Sequence, residues 1–444
     1  MRLSRLNIKK INLKDIDNTY PAQSILTKIG ELYQYESGIF GFGNILVKLQ
    51  QNIENIIKDE LDKADCIECN FATMQPRSIW EKSGRWDRYV DVDKMMFTVK
   101  TDKNEYGLAP TAEEACTIFA SNRLLSVKNL PAVYYQLNDK YRNELRPRGY
   151  LFRPRVFSMM DAYSFDKDEK DMENTYNKMH DVYLKIFDRL GLKIVSVTSD
   201  NGTMGGKVSE EWMALTEFGE DTVLYDEERG CGYNLEVLEG KSSEELLKEY
   251  GITDIGKLKS YKALEMGNNF QLGNKYSESM GLYFNNNNTN STYYMGCYGI
   301  GVSRIMAVIL EDSVIKDEDN NVLGISLPLN LAPYKAQIIY KDTKKDEAEA
   351  LYRELLDNNI NVIIDDREKL NIGAKIKDTL VIGTPYTIVI GDKGDDNLYE
   401  VEKLKSIELN QIKDRFNSYI ENNSEGVDTS EWKKWESGKE YCEF

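Results

Sequence analysis

The sequence is nearly devoid of histidine and has few cysteines, which excludes several kinds of chemistry. Its 444 residues include one histidine, His180, and six cysteines. A Ser–His or Cys–His nucleophile needs a histidine base, and we expect His180, in "YNKMHDVYL", to lie on the solvated flank of a helix. Cys66 and Cys69 have CxxC spacing, but a zinc site would lack further ligands. We expect both to pack in a strand, and we predict no metal ligands.

The sequence also lacks a long apolar run. No stretch approaches the ~18 apolar residues of a membrane span. The N-terminal "MRLSRLNIKKINLKD" has neither an apolar core nor a small-residue cleavage site, so it does not resemble a secretory signal. Hydrophobic residues make up 41% of the chain and charged residues 30%, which is typical of a soluble globular protein. We therefore expect a cytoplasmic protein of two or three domains that makes no membrane contact.

The charge balance is strongly acidic, with a formal net charge of -17. This argues against binding nucleic acid over the whole surface, although a local basic face for one RNA partner stays open. One stretch, "YRNELRPRGYLFRPRVF" (141–157), runs against the trend with five arginines and one acid. Arginines suit phosphate oxygens and an aromatic ring suits a base, so this stretch is a candidate nucleotide site. From the residues alone, a solvated charged hairpin is an equal alternative.

This arginine-rich stretch predicts two strands joined by a loop around residues 147–149. Because side chains alternate along a strand, Arg142 and Glu144 should share a face of the first strand. On the second strand, Arg153, Arg155 and Phe157 should share a face.

Periodic patterns predict the rest of the fold. Apolar residues at helical spacing predict helices over 44–63 and about 168–190, the second stopped by Gly191. Short β-rich runs mixed with these helices favour an α+β domain on an antiparallel sheet. From about 328, strands and helices alternate, which predicts a small α/β domain. We predict the segments 1–327 (with a short insertion at about 213–262), 328–422 and a C-terminal tail, 423–444, with a polar hairpin tip at 284–292.

The arginine-rich stretch resembles motif 2 of the class II aminoacyl-tRNA synthetases, and "MGCYGIGVSRIMAVILE" (295–311) resembles motif 3. Further blocks follow the order of the bacterial-type prolyl-tRNA synthetase family, in a short form without the large editing insertion. These blocks are "MRLSR", "WEKSGRW", "APTAEE", "DAYSF", "DNGTMGGKVSEEW", "FQLGNKYSE", "LAPYKAQII", "DDREKLNIGAKIKD" and "GTPYTIVIGD". The resemblance covers nearly the whole chain.

The resemblance implies an antiparallel-sheet catalytic domain followed by a small α/β anticodon-binding domain. It also implies ATP-dependent activation of proline to prolyl-adenylate and transfer to tRNA(Pro), with ATP and Mg²⁺ as cofactors. The implied partners are tRNA, a small amino acid and a second copy of the chain in a homodimer.

The resemblance also implies roles for individual residues in ATP binding. Arg142 would hold the α-phosphate and the amino-acid carboxylate, and Glu144 would bind the adenine amino group. Phe157 would stack under the adenine, while Arg304 would pack over it and reach the γ-phosphate. The implied catalytic residues are Arg142, Glu144 and Arg304. The implied ATP-binding residues are Arg142, Glu144, Arg153, Phe157, Gln271 and Arg304.

For the amino acid, Thr111 and Glu113 match the residues that receive the substrate ammonium group. Tyr163 and Phe165 would wall an apolar pocket with Cys297 at its base. The implied amino-acid-binding residues are Thr111, Glu113, Arg142, Tyr163, Phe165, Trp212 and Cys297.

Several positions depart from the family pattern. Histidines of the family are replaced by Ala112, Glu210 and Asn268, and a phenylalanine by Trp212. The proline of motif 1 aligns with Ala72, and motif 2 reads Arg-Val-Phe where the family has Arg-Glu-Phe. These changes are either drift or a reshaped pocket for another amino acid.

Two other functions therefore stay open. One is a paralogue that activates a different small amino acid, with or without a tRNA acceptor. The other is a non-catalytic, tRNA-binding regulator. The region 213–262 is too short for an ordinary editing domain, so we expect mischarged alanyl-tRNA to be cleared in trans or tolerated.

Overall fold

The computed structural model describes residues 1–198, 209–226, 229, 231–391, 397–400 and 405–408. These residues form two compact units, of which one comprises 56–147 and 153–305. The other comprises 1–55, 148–152 and the described residues from 306 onward. The predicted tail, the end of the predicted α/β segment and most of the "DNGTMGGKVSEEW" block lie outside the described residues. The predicted domain boundaries stay a prediction.

The α-helices of the described residues are numbered in chain order: α1 (Leu3–Leu6), α2 (Pro21–Ile29), α3 (Asn44–Lys63), α4 (Arg77–Ser83), α5 (Glu113–Ser121), α6 (Glu169–Arg189), α7 (Leu235–Leu238), α8 (Ser243–Tyr250), α9 (Lys275–Ser279), α10 (Val302–Asp312), α11 (Lys345–Asp357) and α12 (Ile372–Thr379). Within these described segments, every helix is too short or too polar to span a lipid bilayer.

The strands are numbered in the same way: β1 (Leu32–Glu36), β2 (Ile39–Phe42), β3 (Ile67–Glu68), β4 (Met74–Pro76), β5 (Phe97–Lys100), β6 (Glu105–Leu108), β7 (Ala132–Tyr141), β8 (Val156–Asp166), β9 (Ile194–Thr198), β10 (Ser209–Leu215), β11 (Asp221–Asp226), β12 (Cys231–Asn234), β13 (Lys259–Gly273), β14 (Tyr283–Asn286), β15 (Thr289–Thr292), β16 (Tyr294–Ile300), β17 (Val314–Lys316), β18 (Val322–Ile325), β19 (Ala336–Tyr340), β20 (Val362–Ile364), β21 (Tyr386–Ile390), β22 (Asn397–Glu400) and β23 (Lys405–Glu408).

A nine-stranded sheet forms the centre of the unit with residues 56–147 and 153–305. Its strand order is β10–β9–β12–β11–β13–β16–β8–β7–β3, and its strands are antiparallel except for the pairs β9–β12 and β3–β7. Strands far apart in the chain are neighbours here. Tyr163 on β8 lies opposite Cys297 on β16, and Cys297 lies opposite Phe270 on β13. The predicted α+β class on an antiparallel sheet is confirmed.

Helix α6 packs on one face of this sheet. Asp168 caps its N-terminus by accepting a hydrogen bond from the Asp171 backbone N–H at 2.9 Å. Gly191, just beyond the helix, has φ 72°, a conformation that favours glycine. The Tyr176 ring lies 6.3 Å from the Tyr298 ring of β16, so the apolar side of the helix faces the sheet. The predicted helix at about 168–190 is confirmed.

Two other sequence patterns form the predicted elements. Helix α3 buries apolar side chains at helical spacing, including Leu46, Leu49 and Ile53, which are all 0% exposed. The asparagine-rich segment forms the hairpin β14–β15, and its turn residues Asn287 and Asn288 have positive φ angles of 51° and 75°. Asparagine tolerates this conformation better than most residues.

The other unit contains a five-stranded sheet in the order β20–β19–β21–β22–β23. Strand β19 pairs in parallel with β20 and β21, and α11 and α12 connect these three strands. The core is built from fully buried aliphatic side chains: Ala336, Ile338, Val362, Ile364, Ile388 and Ile390. The predicted alternation of strands and helices after residue 328 is confirmed in the described part.

The cysteines of the CxxC pair flank the two-residue strand β3. Cys66 is buried, which raises the pKa of its thiol to about 11, and Cys69 is half-buried. Within the described residues, no group of three or more His, Cys, Asp or Glu side chains could hold a metal ion. Both cysteines lie just outside the strand in which we expected them to pack.

Candidate active site

The face of the large sheet away from α6 carries most of the side chains that the sequence indicates. Phe157, Asp161 and Tyr163 alternate with residues that point toward α6, so they share this face of β8. Cys297 lies opposite Tyr163 and next to Phe270 in the register. Tyr163, Cys297 and Phe270 also belong to one apolar cluster. The sheet thus brings residues from three distant segments to one place.

Glu113 is buried at the N-terminus of α5 and is held by three side chains. Arg85 Nη1 lies 2.9 Å from Glu113 Oε2 and 3.2 Å from Glu114 Oε1. Thr111 Oγ1 donates to Glu113 at 2.8 Å, and Cys297 Sγ donates to it at 3.4 Å. Both glutamates are 0% exposed. Two fully buried carboxylates therefore share one guanidinium.

Burial and the Arg85 charge act in opposite directions on these carboxylates. Burial raises both pKa values and the guanidinium lowers them. The Arg85 charge and hydrogen bonds leave the pKa of Glu113 below its ordinary value, whereas the Glu113 charge helps to keep that of Glu114 above it. Burial and the neighbouring Glu113 charge raise the pKa of the Cys297 thiol well above its usual range. Glu113 is thus the ionised acceptor of the site, and Cys297 is a neutral thiol.

Tyr163 connects this acceptor to a second buried network. Its hydroxyl accepts from the Ala112 backbone N–H at 2.9 Å and donates to Asp161 Oδ2 at 2.8 Å. Gln136 Nε2 donates to the same Asp161 oxygen at 2.9 Å, and Lys140 Nζ lies 2.6 Å from Oδ1. The predicted apolar wall at Tyr163 is therefore polar at its hydroxyl end.

Arg142 and Glu144 lie in a loop, so their predicted place on a strand is wrong. β7 ends just before Arg142, and β8 begins just after Arg155, which leaves Arg153 in the loop as well. The Arg142 backbone N–H still donates to the Arg155 carbonyl at 2.9 Å. The two prolines of the loop lack the N–H that a strand pairing needs. Of the predicted site residues in this stretch, only Phe157 lies on a strand.

Within the loop, the predicted nucleotide-binding groups contact one another. The Arg142 guanidinium lies 5.1 Å from the centre of the Phe157 ring, and its Nε donates to the Pro110 carbonyl at 3.4 Å. Glu144 Oε2 accepts from Arg153 Nε at 2.7 Å. Burial alone would raise the pKa of Glu144, but the hydrogen bonds from Arg153 and from the Arg146 backbone N–H, together with the Arg153 charge, outweigh it, so the pKa lies below its ordinary value. Arg142 is therefore preorganised over an aromatic ring.

Arg304 lies in the first turn of α10 and is held by Glu265 in the middle of β13. Its Nη1 donates to the Glu265 carbonyl at 2.6 Å and lies 3.1 Å from Glu265 Oε2. Asn268 Nδ2 donates to Glu265 Oε1 at 2.8 Å. The Arg304 side chain stays 29% exposed, so it is oriented while its charge remains accessible.

Two predicted site residues lie on the α6 face of the sheet. Trp212 is 0% exposed and packs against α6, with its ring 5.7 Å from the rings of Tyr183 and Phe187. Gln271 follows Phe270 on β13, so strand alternation points it toward the α6 face as well. The structure thus places both side chains on the face opposite Tyr163, while the contacts of Trp212 with the amino acid and of Gln271 with ATP stay predictions. A strand pattern of period two does not say which of its faces carries the site.

The prediction that His180 lies on a solvated helix flank is also wrong. Its side chain is 17% exposed, its Nδ1 lies 3.0 Å from Glu210 Oε2, and its ring lies 4.8 Å from the Trp212 ring. Glu210, one of the residues that replace a family histidine, thus belongs to the α6 face too. That substitution is remote from the side chains around Glu113.

Sequence reasoning assigned no role to three charged residues that organise the site: Arg85, Asp161 and Glu265. Arg85 is present in "WEKSGRW", where its neighbouring aromatic residues signal a buried position. Its guanidinium lies 5.1 Å from the Trp80 ring centre and 4.6 Å from that of Tyr89. Asp161 and Glu265 carried no comparable signal.

Comparison with known proteins agrees with this geometry. The model of the family described as "tRNA synthetase class II core domain (G, H, P, S and T)" matches residues 97–313. That of the family "Anticodon binding domain" matches residues 332–420. The fold is that of a class II aminoacyl-tRNA synthetase.

Relatives define the class more narrowly. The proline–tRNA ligase of Ehrlichia ruminantium (strain Gardel) is 36% identical over 407 residues, which cover 88% of this chain and 92% of that protein. That of Sulfurimonas denitrificans (strain ATCC 33889 / DSM 1251) is 35% identical over 428 residues, 92% of this chain and 96% of that protein. The chain belongs to the proline–tRNA ligase family.

Solved structures share the fold at lower identity. Prolyl-tRNA synthetase from Cryptosporidium parvum, solved with halofuginone and AMPPNP, matches with a TM-score of 0.70 at 15% identity. The match covers 94% of this chain and 78% of that one, and a structure of the same protein with L-proline and AMP matches equally well. At this identity the likeness concerns the fold.

Proposed function

We propose that this protein uses ATP to activate proline as prolyl-adenylate and then transfers the prolyl group to tRNA(Pro). Membership in the proline–tRNA ligase family supports the reaction. The observation that carries the proposal is the buried Glu113 carboxylate beside Thr111, whose neighbour Pro110 accepts from Arg142 through its carbonyl. Proline has one ammonium group and one carboxylate. Glu113 offers an acceptor for the ammonium group, and Arg142 offers a donor for the carboxylate.

The charge balance around Glu113 favours a cationic substrate group. In the part of the chain that the structure describes, ion pairs of Glu113 and Glu114 are made with Arg85. Two buried carboxylates share this guanidinium, and Lys275, which also interacts with them, is exposed. A substrate ammonium group would add a positive charge inside the site, and its arrival would favour ionisation of Glu114.

For ATP, we assign Arg142 to the α-phosphate, Phe157 to stacking under the adenine, and Arg304 to packing over it and contacting the γ-phosphate. Glu144 would accept from the adenine amino group, and this requires its hydrogen bond from Arg153 to open. Arg153 would then be available to a phosphate. The preformed contact of Arg142 with Phe157 supports this assignment because it places a cation beside an aromatic face.

The proposed chemistry needs no general base. The proline carboxylate is already ionised, and one of its oxygens attacks the α-phosphorus while the bond to the pyrophosphate oxygen breaks. Arg142 would neutralise charge on the α-phosphate in the transition state. In the second step, a terminal ribose hydroxyl of the tRNA attacks the activated carbonyl, AMP leaves with the mixed-anhydride oxygen, and its phosphate takes up the hydroxyl proton.

We propose that Mg²⁺ enters with ATP. The described residues contain no group of three potential metal ligands, so they do not form a cage for the ion. Magnesium is usually held by one or two carboxylates plus substrate phosphates and waters. When bound, it would offset the charge of the phosphates.

Placement of the substituted positions favours proline over another amino acid. Glu210 lies on the α6 face beside His180, where it does not contact the residues around Glu113. Ala112 does belong to the apolar cluster with Tyr163, so a pocket for a different small amino acid is the second candidate. A non-catalytic regulator is a weaker alternative, because Arg142, Phe157 and Arg304 are all present.

The remaining proposals concern partners and place of action. We propose that residues 1–327 form the catalytic domain and that residues 328–422 bind the tRNA anticodon region. We also propose that two chains form a homodimer and that the protein acts in the cytoplasm. Sedimentation of a monomer at micromolar concentration would remove the dimer proposal and would give Ala72, in place of the motif 1 proline, a role.

ATP–pyrophosphate exchange with each of the twenty amino acids tests the proposal. We expect exchange to be strongest with proline, and charging of tRNA(Pro) transcript to follow. Stronger exchange with another amino acid would favour the second candidate. Exchange with none, combined with retained tRNA binding, would favour the regulator.

A further inference from the structure

The start of this acidic chain is a second basic segment, besides the arginine-rich stretch at 141–157. The first fourteen residues carry five basic and no acidic side chains, although the whole chain has a net charge of -17. In contrast, residues 332–420, which match the anticodon-binding domain, contain fourteen basic and seventeen acidic residues. The part of the chain expected to meet a polyanion therefore has no excess of positive charge.

The start of the chain is docked on that same α/β part. Arg2 makes a two-pronged ion pair with Glu349 of α11, with distances of 2.6 and 2.9 Å. Its backbone bridges to Ile364 of β20. Ser4 donates to Asp366 through its backbone N–H at 3.0 Å and its hydroxyl at 2.8 Å. These contacts hold the segment in a defined position within one compact unit.

The next basic side chains point outward. Arg5, Lys9, Lys10 and Lys14 are all exposed, and we call these four residues the N-terminal basic strip. Within the described residues, no carboxylate forms an ion pair with any of them. The Lys9 backbone N–H donates to the Ile29 carbonyl at 3.3 Å, which ties the middle of the strip to the end of α2. Four charges are thus presented on an ordered backbone beside the α/β domain.

We propose that the N-terminal basic strip binds phosphate groups of the RNA whose anticodon region the α/β domain receives. This inference rests on the proposed function for the identity of the RNA. Charge complementarity supports it, since the strip supplies the positive surface that residues 332–420 lack. A lipid surface fits less well, because an interfacial helix needs an exposed apolar face. Here Leu3 is buried, and the other apolar residues of the segment are half-buried.

Salt dependence is the signature of such contacts. Each phosphate neutralised by Lys or Arg adds about 0.7 to 0.9 to the slope of log binding constant against log salt concentration. Four contacts in the strip therefore predict a change of about 3 in that slope.

The test is a quadruple variant, R5Q/K9Q/K10Q/K14Q, of the full chain. We expect its Kd for tRNA(Pro) transcript, measured by filter binding at about 150 mM salt, to rise at least about tenfold, with a slope smaller by about 3. ATP–pyrophosphate exchange with proline should stay unchanged, because it needs no tRNA. The matched control is K103Q/K128Q/K193Q/K257Q, which removes four exposed lysines elsewhere and should change Kd by less than about twofold.

An unchanged Kd in the strip variant, or an equal loss in the control, would overturn the inference. A second set of results would also overturn it: the parent binds vesicles of phosphatidylcholine and phosphatidylserine, the strip variant does not, and both bind tRNA equally well. Filter binding does not depend on catalysis. If the parent shows no exchange with proline but its tRNA binding depends on the strip, the proposed function is therefore refuted and the inference about the strip stands.

Discussion

The Arg85 guanidinium lies 2.9 Å from the Glu113 carboxylate, and both side chains are almost completely buried. A charge pair in such a place is costly unless each group keeps a partner. Arg85 also binds Glu114, so its removal would break the ion pairs of two buried carboxylates. The relationship makes Arg85 both a structural residue and a positioning residue for the acceptor of the substrate ammonium group.

We expect Arg85→Met to lower the free energy of unfolding by about 3–5 kcal/mol, because it breaks a buried ion pair from one side. Urea unfolding followed by tryptophan fluorescence measures the change. Arg88→Met is the matched control, since the ion pair of Arg88 with Asp93 is half-exposed and should contribute less than about 1 kcal/mol. Equal effects of the two variants would contradict the prediction. If the Arg85→Met variant does not accumulate, Arg85→Lys is measured in its place.

Arg142→Ala should lower the rate of ATP–pyrophosphate exchange by about 10²–10³-fold, because a preorganised cation at the α-phosphate is lost. Arg123→Ala provides the comparison. Its guanidinium also lies over an aromatic ring, that of Phe119, but it is exposed and carries no proposed role. Exchange that survives in Arg142→Ala would remove Arg142 from the ATP site.

Trp212 and Tyr163 lie on opposite faces of the sheet and should respond differently to small changes. Trp212→Phe should lower the free energy of unfolding by about 1–2 kcal/mol and leave the KM for proline within about twofold, because it alters packing against α6. Tyr163→Phe removes the hydroxyl that joins Ala112 to Asp161 and should raise the KM for proline several-fold.

Both variants are measured by urea unfolding and by exchange at varied proline concentration. A change in amino-acid preference in Trp212→Phe would return Trp212 to the pocket.

Glu311, at the end of α10, should make stability depend on pH. Burial raises its pKa to about 7, although the backbone N–H groups of Ala22 and Gln23 bind its carboxylate at 3.0 and 3.1 Å. The native state therefore holds the proton more tightly than the unfolded state, and the free energy of unfolding should fall as pH rises from about 4.5 to 7. The full effect of this group is on the order of 3 kcal/mol.

Glu311→Gln should flatten this part of the pH profile, measured by urea unfolding at several pH values between 5 and 8. Glu318→Gln, at an exposed position in the following turn, should leave the profile of the parent unchanged. A parallel profile in Glu311→Gln would show that the pH dependence arises elsewhere.

Much of the fold could be predicted from local patterns. The helices at 44–63 and 169–189 follow from apolar residues at helical spacing, and their ends follow from residues such as Asp168 and Gly191. The motif blocks also indicated the right class of protein, because they are long and keep their order along nearly the whole chain. Placement on a given face was less predictable, as Gln271 and Trp212 demonstrate.

By itself, the sequence determined the class, the two kinds of sheet and the segments that carry the arginines, since these depend on composition, periodicity and motif order. Only the tertiary structure decided that Arg85 meets Glu113 and Glu114, that Tyr163 joins Ala112 to Asp161, and that the N-terminal segment docks on α11. These contacts join residues distant in the chain, and buried charges find their partners through packing in a low-dielectric interior, which no local pattern records.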